Sequence, residues 1–102
     1  MTDAEINLAL ALKIGYLPEH VVLVRRENRY VVNRPSEWIT EYWSAFDYTD
    51  WNTIMPIAEK YSVIGGTYEG KWSEAWADSN DIVFFDESLQ RAIALAVLGV
   101  QS

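Results

Sequence analysis

His20 is the only histidine in this chain, and there is no cysteine. Acid–base catalysis draws on histidine more than on any other side chain, and the imidazole needs an acid to orient it. Glu19 is its neighbour, but on the strand expected from residue 20 onward the two side chains would point to opposite faces. Zinc is held by three or four nitrogen or sulfur ligands, so one histidine and no thiolate argue against that metal. Oxygen ligands for calcium or magnesium exist in Asp78-Ser79-Asn80-Asp81 and Asp86. Their spacing lacks the glycine and the glutamate of an EF-hand loop, so a solvated turn and a helix cap are the expectation. Glu37, Glu41, Asp47 and Asp50 offer the paired carboxylates of a glycosidase, with Trp38 and Trp43 as a sugar platform. Eleven acids in residues 35–102 make such pairs common by chance, and 102 residues leave little room for a walled cleft. Gly65, Gly66 and Gly70 do not form a phosphate loop, because Lys71 is not followed by Ser or Thr. These residues point away from an enzyme and imply neither metal nor cofactor.

Binding chemistry is better represented. Residues 1–34 hold four acids and five bases, net +1, whereas residues 35–102 hold eleven acids and three bases, net −8, giving −7 for the chain. All five tryptophans lie in the acidic part. Such a balance disfavours nucleic acid and suits a partner with a basic surface. Residues 38–51 contain six aromatics, Trp38, Tyr42, Trp43, Phe46, Tyr48 and Trp51, more than so small a core readily hides. Aromatics left outside among acids are typical of interfaces. Trp38, Tyr42, Trp43 and Trp51 are the expected anchors, and Glu37, Glu41, Asp47 and Asp50 would pair with Arg or Lys of a partner. Arg25, Arg26, Arg29 and Arg34 form a secondary basic patch, read as a solvated hairpin tip or a second protein contact.

The elements that carry these residues follow from pattern. Half the residues are hydrophobic and 14% are aromatic, so a single domain over 1–102 with one modest core is expected. Thr2-Asp3-Ala4-Glu5 has the form of a capping box, Ile6, Leu10 and Ile14 follow at helical spacing, and Gly15 is a natural stop. This predicts a helix over 3–14. Residues 20–24 and 30–32 are β-rich around a polar tip and predict a hairpin. A short or irregular helical segment is expected at 36–46. A second helix starts after Thr49 or Asp50 and runs to about Tyr61. Its inner face would use Met55, Ala58 and Ile54 or Trp51, and Pro56 would kink it or delay its start. A strand at 61–64 would meet a bulge or turn at Gly65-Gly66 and resume at 67–68. Residues 71–77 and 82–85 are further strands, separated by polar turns at Glu69-Gly70 and residues 78–81. Asp86 would cap a last helix over 87–98, with Leu89, Ala92, Ile93, Ala96 and Val97 inward. The order α-ββ-α-ββ(β)-α predicts an α+β fold, a small antiparallel sheet packed with three helices on one face or on both. The longest apolar tract, residues 92–98, is far short of the roughly 20 residues of a membrane span, and the acidic start differs from a secretory signal. A cytoplasmic protein is expected.

Three local patterns resemble the NinX-like family of small phage and prophage proteins, also described as a phage ABA-sandwich domain. They are Asp3-Ala4-Glu5-Ile6-Asn7 with Gly15-Tyr16; Phe46 to Asn52 with Met55-Pro56 and Glu59-Lys60-Tyr61; and Trp76-Ala77 with Glu87 to Ala94. Ser88 stands where the family commonly has proline. The resemblance implies a phage or prophage origin, residence in the cytoplasm of a bacterial host, a three-layer α/β/α sandwich, and no catalytic residues. The resulting expectation is a non-enzymatic accessory protein that binds a host or phage protein. It would inhibit a host defence or nucleic-acid-handling protein by occlusion or by charge mimicry. The alternative is a small-molecule pocket between sheet and helices, lined by Tyr68, Trp72 and Trp76. Spare aromatics also make a homodimer an option.

Overall fold

The computed structural model describes residues 1–34, 42–68, 72–77 and 83–100. Its contacts divide the chain into two compact units, Met1–Asp47 and Tyr48–Ser102. The fold is α+β, as expected. The described residues form three α-helices, one 3-10 turn and six strands, and the strands are shared between two antiparallel sheets of three rather than gathered in one.

In the first unit, α1 (Asp3–Lys13) begins at Thr2, whose hydroxyl accepts the Glu5 N–H while the Glu5 carboxylate accepts the Thr2 N–H. The helix ends in a Schellman motif. Gly15 takes φ +113° and donates to the Leu12 carbonyl, and Tyr16 donates to the Ala11 carbonyl. A 3-10 turn (Pro18–His20) leads into β1 (Val21–Val24). His20 therefore sits in that turn, not on the expected strand, because Leu17 O accepts its N–H. β1 pairs with β2 (Arg29–Asn33) around a tip in which Asn28 adopts φ 51°, a conformation that asparagine tolerates. The second edge of β2 is taken by β3 (Trp43–Phe46). The helical segment expected at 36–46 is thus a strand in its described part, since the carbonyls and amides of β2 supply the partners that four isolated residues lack. Ile6, Leu10 and Ala11 of α1 are buried, as are Val21, Val32 and Phe46 of the sheet.

The second unit opens with α2 (Trp51–Lys60), capped by Asp50, whose carboxylate accepts the Asn52 N–H at 2.9 Å. The helix is continuous from Trp51 with Pro56 inside it. Its buried residues are Ile54, Ile57 and Ala58, whereas Met55 and Trp51 are exposed. Ala58 and Ile54 are inward as expected, but Ile57 takes the place expected of Met55, because Ile57 and Ala58 follow Ile54 at i+3 and i+4 while Trp51 and Met55 form the adjacent stripe. Pro56 lies on the exposed side, where a missing hydrogen bond is least harmful. The helix is capped by Tyr61, and Ser62 beyond it takes the left-handed region at φ 54°.

β4 (Val63–Tyr68) runs straight through Gly65-Gly66, with no turn there, and pairs with β5 (Trp72–Ala77), which pairs with β6 (Val83–Asp86). α3 (Leu89–Gly99) crosses one face of this sheet, and α2 packs along α3. The α3 cap is Ser88, not Asp86. The Ser88 hydroxyl accepts the Arg91 N–H, and the Asp86 carboxylate accepts the Ser88 N–H at 3.0 Å and meets Arg91 Nε at 3.1 Å. Ala92, Ile93, Ala96 and Val97 are buried as expected, together with Ala94.

Two outcomes follow. Replacing Pro56 by Ala restores a helical N–H and removes the ring clash, and it should stabilise the protein by about 1–2 kcal/mol in urea unfolding; an unchanged or lower midpoint would refute this. The Glu5 carboxyl is held below its ordinary range by the backbone N–H of Thr2 and then by the Thr2 hydroxyl. A depressed folded value means that its contribution is present above the unfolded value and lost as pH falls through the folded one. Carbon NMR titration should find the Glu5 midpoint below that of an ordinary glutamate, and amide protection in the first turn of α1 should fall as Glu5 is protonated. Glu5→Gln should abolish that pH dependence.

Candidate protein-interaction surfaces

Tyr42 and Trp43 stand at the start of β3. The backbone of Tyr42 is held twice: its N–H donates to the Asn33 side-chain carbonyl at 2.8 Å, and its own carbonyl accepts the Arg34 N–H at 2.7 Å. Asn33 is itself buried. Trp43 faces Asn33 across the ladder. The backbone is therefore fixed while the side chains remain 54% and 41% exposed. Asp47, also exposed, follows β3 in the same unit.

Asp50 and Trp51 belong to the second unit. The Asp50 carboxylate serves as the α2 cap. Trp51 is exposed, with exposed Met55 one helical turn on. Trp38, Glu37 and Glu41 lie outside the described residues, as do residues 78–81. Two of the six clustered aromatics are core instead. Phe46 and Tyr48 are both fully buried, and the Tyr16 ring meets Phe46 edge-on at 6.2 Å and 74°.

The arginines divide. Arg25 and Arg26 are exposed in the β1–β2 tip, Arg29 is ion-paired with Glu27, and Arg34 is exposed at the end of β2. His20 is half-buried in its turn. Among the described residues no group of three His, Asp or Glu side chains is placed to hold a metal ion. Asp86, one of the oxygen ligands considered above, is engaged by Ser88 and Arg91. No helix among the described residues is long and apolar enough to cross a membrane.

Sequence reasoning missed one surface. In the β4–β5–β6 sheet, Ser73, Ala75 and Ala77 of β5 are buried. Gly65, opposite Ala75, lies against Leu89 and Ile93 of α3. Strand alternation therefore puts Glu74 and Trp76 on the other face. Ile64 and Val83 are the register partners of Trp76, and Gly66 and Phe85 those of Glu74. Trp76 thus lies away from the helix-facing layer in which the small-molecule reading put it. Ile64, Val83 and Phe85 are exposed. The signal available beforehand was the alternation of small and large residues in Ser73-Glu74-Ala75-Trp76-Ala77.

The chain matches no family model, no curated protein and no solved structure.

One polar atom near β3 is anomalous. The Ser44 hydroxyl is buried without a hydrogen-bond partner, at the register position of Val32, on the face that carries buried Val21 and Val32. An unsatisfied buried hydroxyl costs about 1–3 kcal/mol. Ser44→Ala should therefore raise the unfolding free energy by about 1 kcal/mol; a loss of stability would show that the hydroxyl is satisfied.

Proposed function

We propose that this chain is a phage- or prophage-encoded accessory protein without catalytic activity. It binds a host or phage protein that has a basic surface and inhibits it by occlusion. The phage origin is supported by the three sequence patterns described above. The binding role is supported most directly by the Tyr42–Trp43 pair, two aromatic side chains exposed on a backbone fixed by a buried asparagine. Aromatics presented in this way lose little conformational freedom on binding and are frequent hot spots. The excess of acids over bases, net −7, steers the molecule toward basic partners and away from phosphate. Exposed Trp51 and Met55 give the second unit its own apolar stripe.

The test is capture from bacterial host lysate by the intact chain and by a Tyr42→Ala/Trp43→Ala double variant of verified fold. A specific host protein should be retained by the wild type, lost by the variant, and released as salt is raised to roughly 0.5 M, where screening is short-ranged. Equal capture by both forms would remove the aromatic pair from the function. A salt-independent dimer with no captured protein would assign the pair to self-association.

A further inference from the structure

The geometry points to a second docking surface, the open face of the β4–β5–β6 sheet, and to its occupant: a protein segment that carries a Lys or Arg between large apolar side chains. This surface belongs to the second unit, whereas the Tyr42–Trp43 pair belongs to the first.

The face is built in rows. Ile64, Trp76 and Val83 form one, and Gly66, Glu74 and Phe85 the next. Ile64 is 48% exposed and Phe85 60%. A Cβ placed on Gly66 would meet nothing within 4 Å, so that row is open above β4. Sheets of this kind, covered by helices on one side, present polar residues on the other side when that side faces water. Here the outward positions of the three strands hold isoleucine, tryptophan, valine and phenylalanine. A contiguous apolar patch on a small protein marks a binding surface.

Charge decides what covers it. The central strand contributes Glu74 between Gly66 and Phe85, a carboxylate in the middle of the apolar rows. Covering Glu74 with a purely apolar surface would leave a desolvated, unpaired charge, which is strongly unfavourable. A second copy is a poor occupant as well. A two-fold axis through the centre of this face would bring Glu74 against its own counterpart. A phosphate backbone would be repelled, because residues 48–102 hold eight acids and three bases. A cation flanked by apolar side chains satisfies both the carboxylate and the rows around it, as in interfaces whose charged pairs set specificity.

The experiment uses the intact chain, uniformly labelled with nitrogen-15. It is titrated with a peptide containing Leu-Thr-Lys-Thr-Leu, which sets leucine, lysine and leucine on one side of an extended chain, and with the counterpart bearing glutamate for lysine. The lysine peptide should shift the amides of Ile64, Glu74, Trp76, Val83 and Phe85, and should bind at least about tenfold more tightly than the glutamate peptide, a difference of about 1.4 kcal/mol. Glu74→Gln should remove most of that discrimination, and Tyr42→Ala/Trp43→Ala should leave it intact. Failure of the capture experiment above would not touch this result. Equal binding of the two peptides, shifts confined to other residues, or no shifts at all would overturn the proposal. So would a dimer, detected by sedimentation, that buries this face and is strengthened by Glu74→Gln.

Discussion

The close approach of α3 to its sheet is the constraint on which the second unit depends. A Cβ on Gly65 would lie 3.1 Å from the Glu74 carbonyl, 3.1 Å from Leu89 Cδ1 and 3.3 Å from Ile93 Cγ1. Only a hydrogen fits comfortably there. The same closeness selects Ser73, Ala75 and Ala77 on the neighbouring strand and Ala92 and Ala96 on the helix, all of them buried. Side chains alternate along a strand, so with Gly65 and the small residues of β5 facing the helix, Ile64 and Trp76 face outward. Register sets Val83 and Phe85 on that outward face while Phe84, opposite Ala75, takes the helix side. The outward placement of Ile64, Val83 and Phe85 thus follows from strand register with a β5 whose small side chains lie under the helix. An apolar outward face is costly in water, and its position opposite such a well-packed layer is what makes it informative.

The first unit reaches its packing by different means. Its helix is delimited by hydrogen bonds at both ends, from the Thr2 and Glu5 side chains in the capping box and between backbone groups in the Schellman turn at Gly15. That turn delivers Tyr16 to the edge of Phe46, tying the helix terminus to the last strand. Asn33 is the counterpart on the polar side. It is a buried amide that satisfies the Tyr42 N–H, and buried polar groups are generally paired in this way. Rigidity at the base of Tyr42 and Trp43 thus comes from the ladder and the asparagine together.

Electrostatics joins the two proposed surfaces. The outward face of the second unit's sheet sets apolar side chains around the Glu74 carboxylate, and the described residues include no group placed to hold a metal ion. A net charge of −7 acts at long range on association rates and partner choice, while the apolar side chains supply contact area. The Arg25–Arg26 tip is the exception in sign. Its exposure keeps it solvated, and Glu27 neutralises its neighbour Arg29.

Local signals in the chain were sufficient for α1, for the β1–β2 hairpin, for the existence of α3 and for the α+β class, because caps, left-handed glycine and helical spacing act within a few residues. Where several residues compete for one role, local information failed. Ser88 took the α3 cap while Asp86 supported it, and Ile57 displaced Met55 from the inner face of α2. Strand β3 and the straight course of β4 through two glycines depended on pairing with another strand, since a short extended segment gains its hydrogen bonds only from a neighbour. The candidate sites divide on the same line. Aromatic and acidic residue types were legible from the start, but which aromatics are core and which are surface depended on burial. Phe46 and Tyr48 went inside, Tyr42, Trp43 and Trp51 stayed outside, and the face around Glu74 emerged only from strand register. Composition fixes how much apolar surface a chain carries; only packing decides which part of it water still sees.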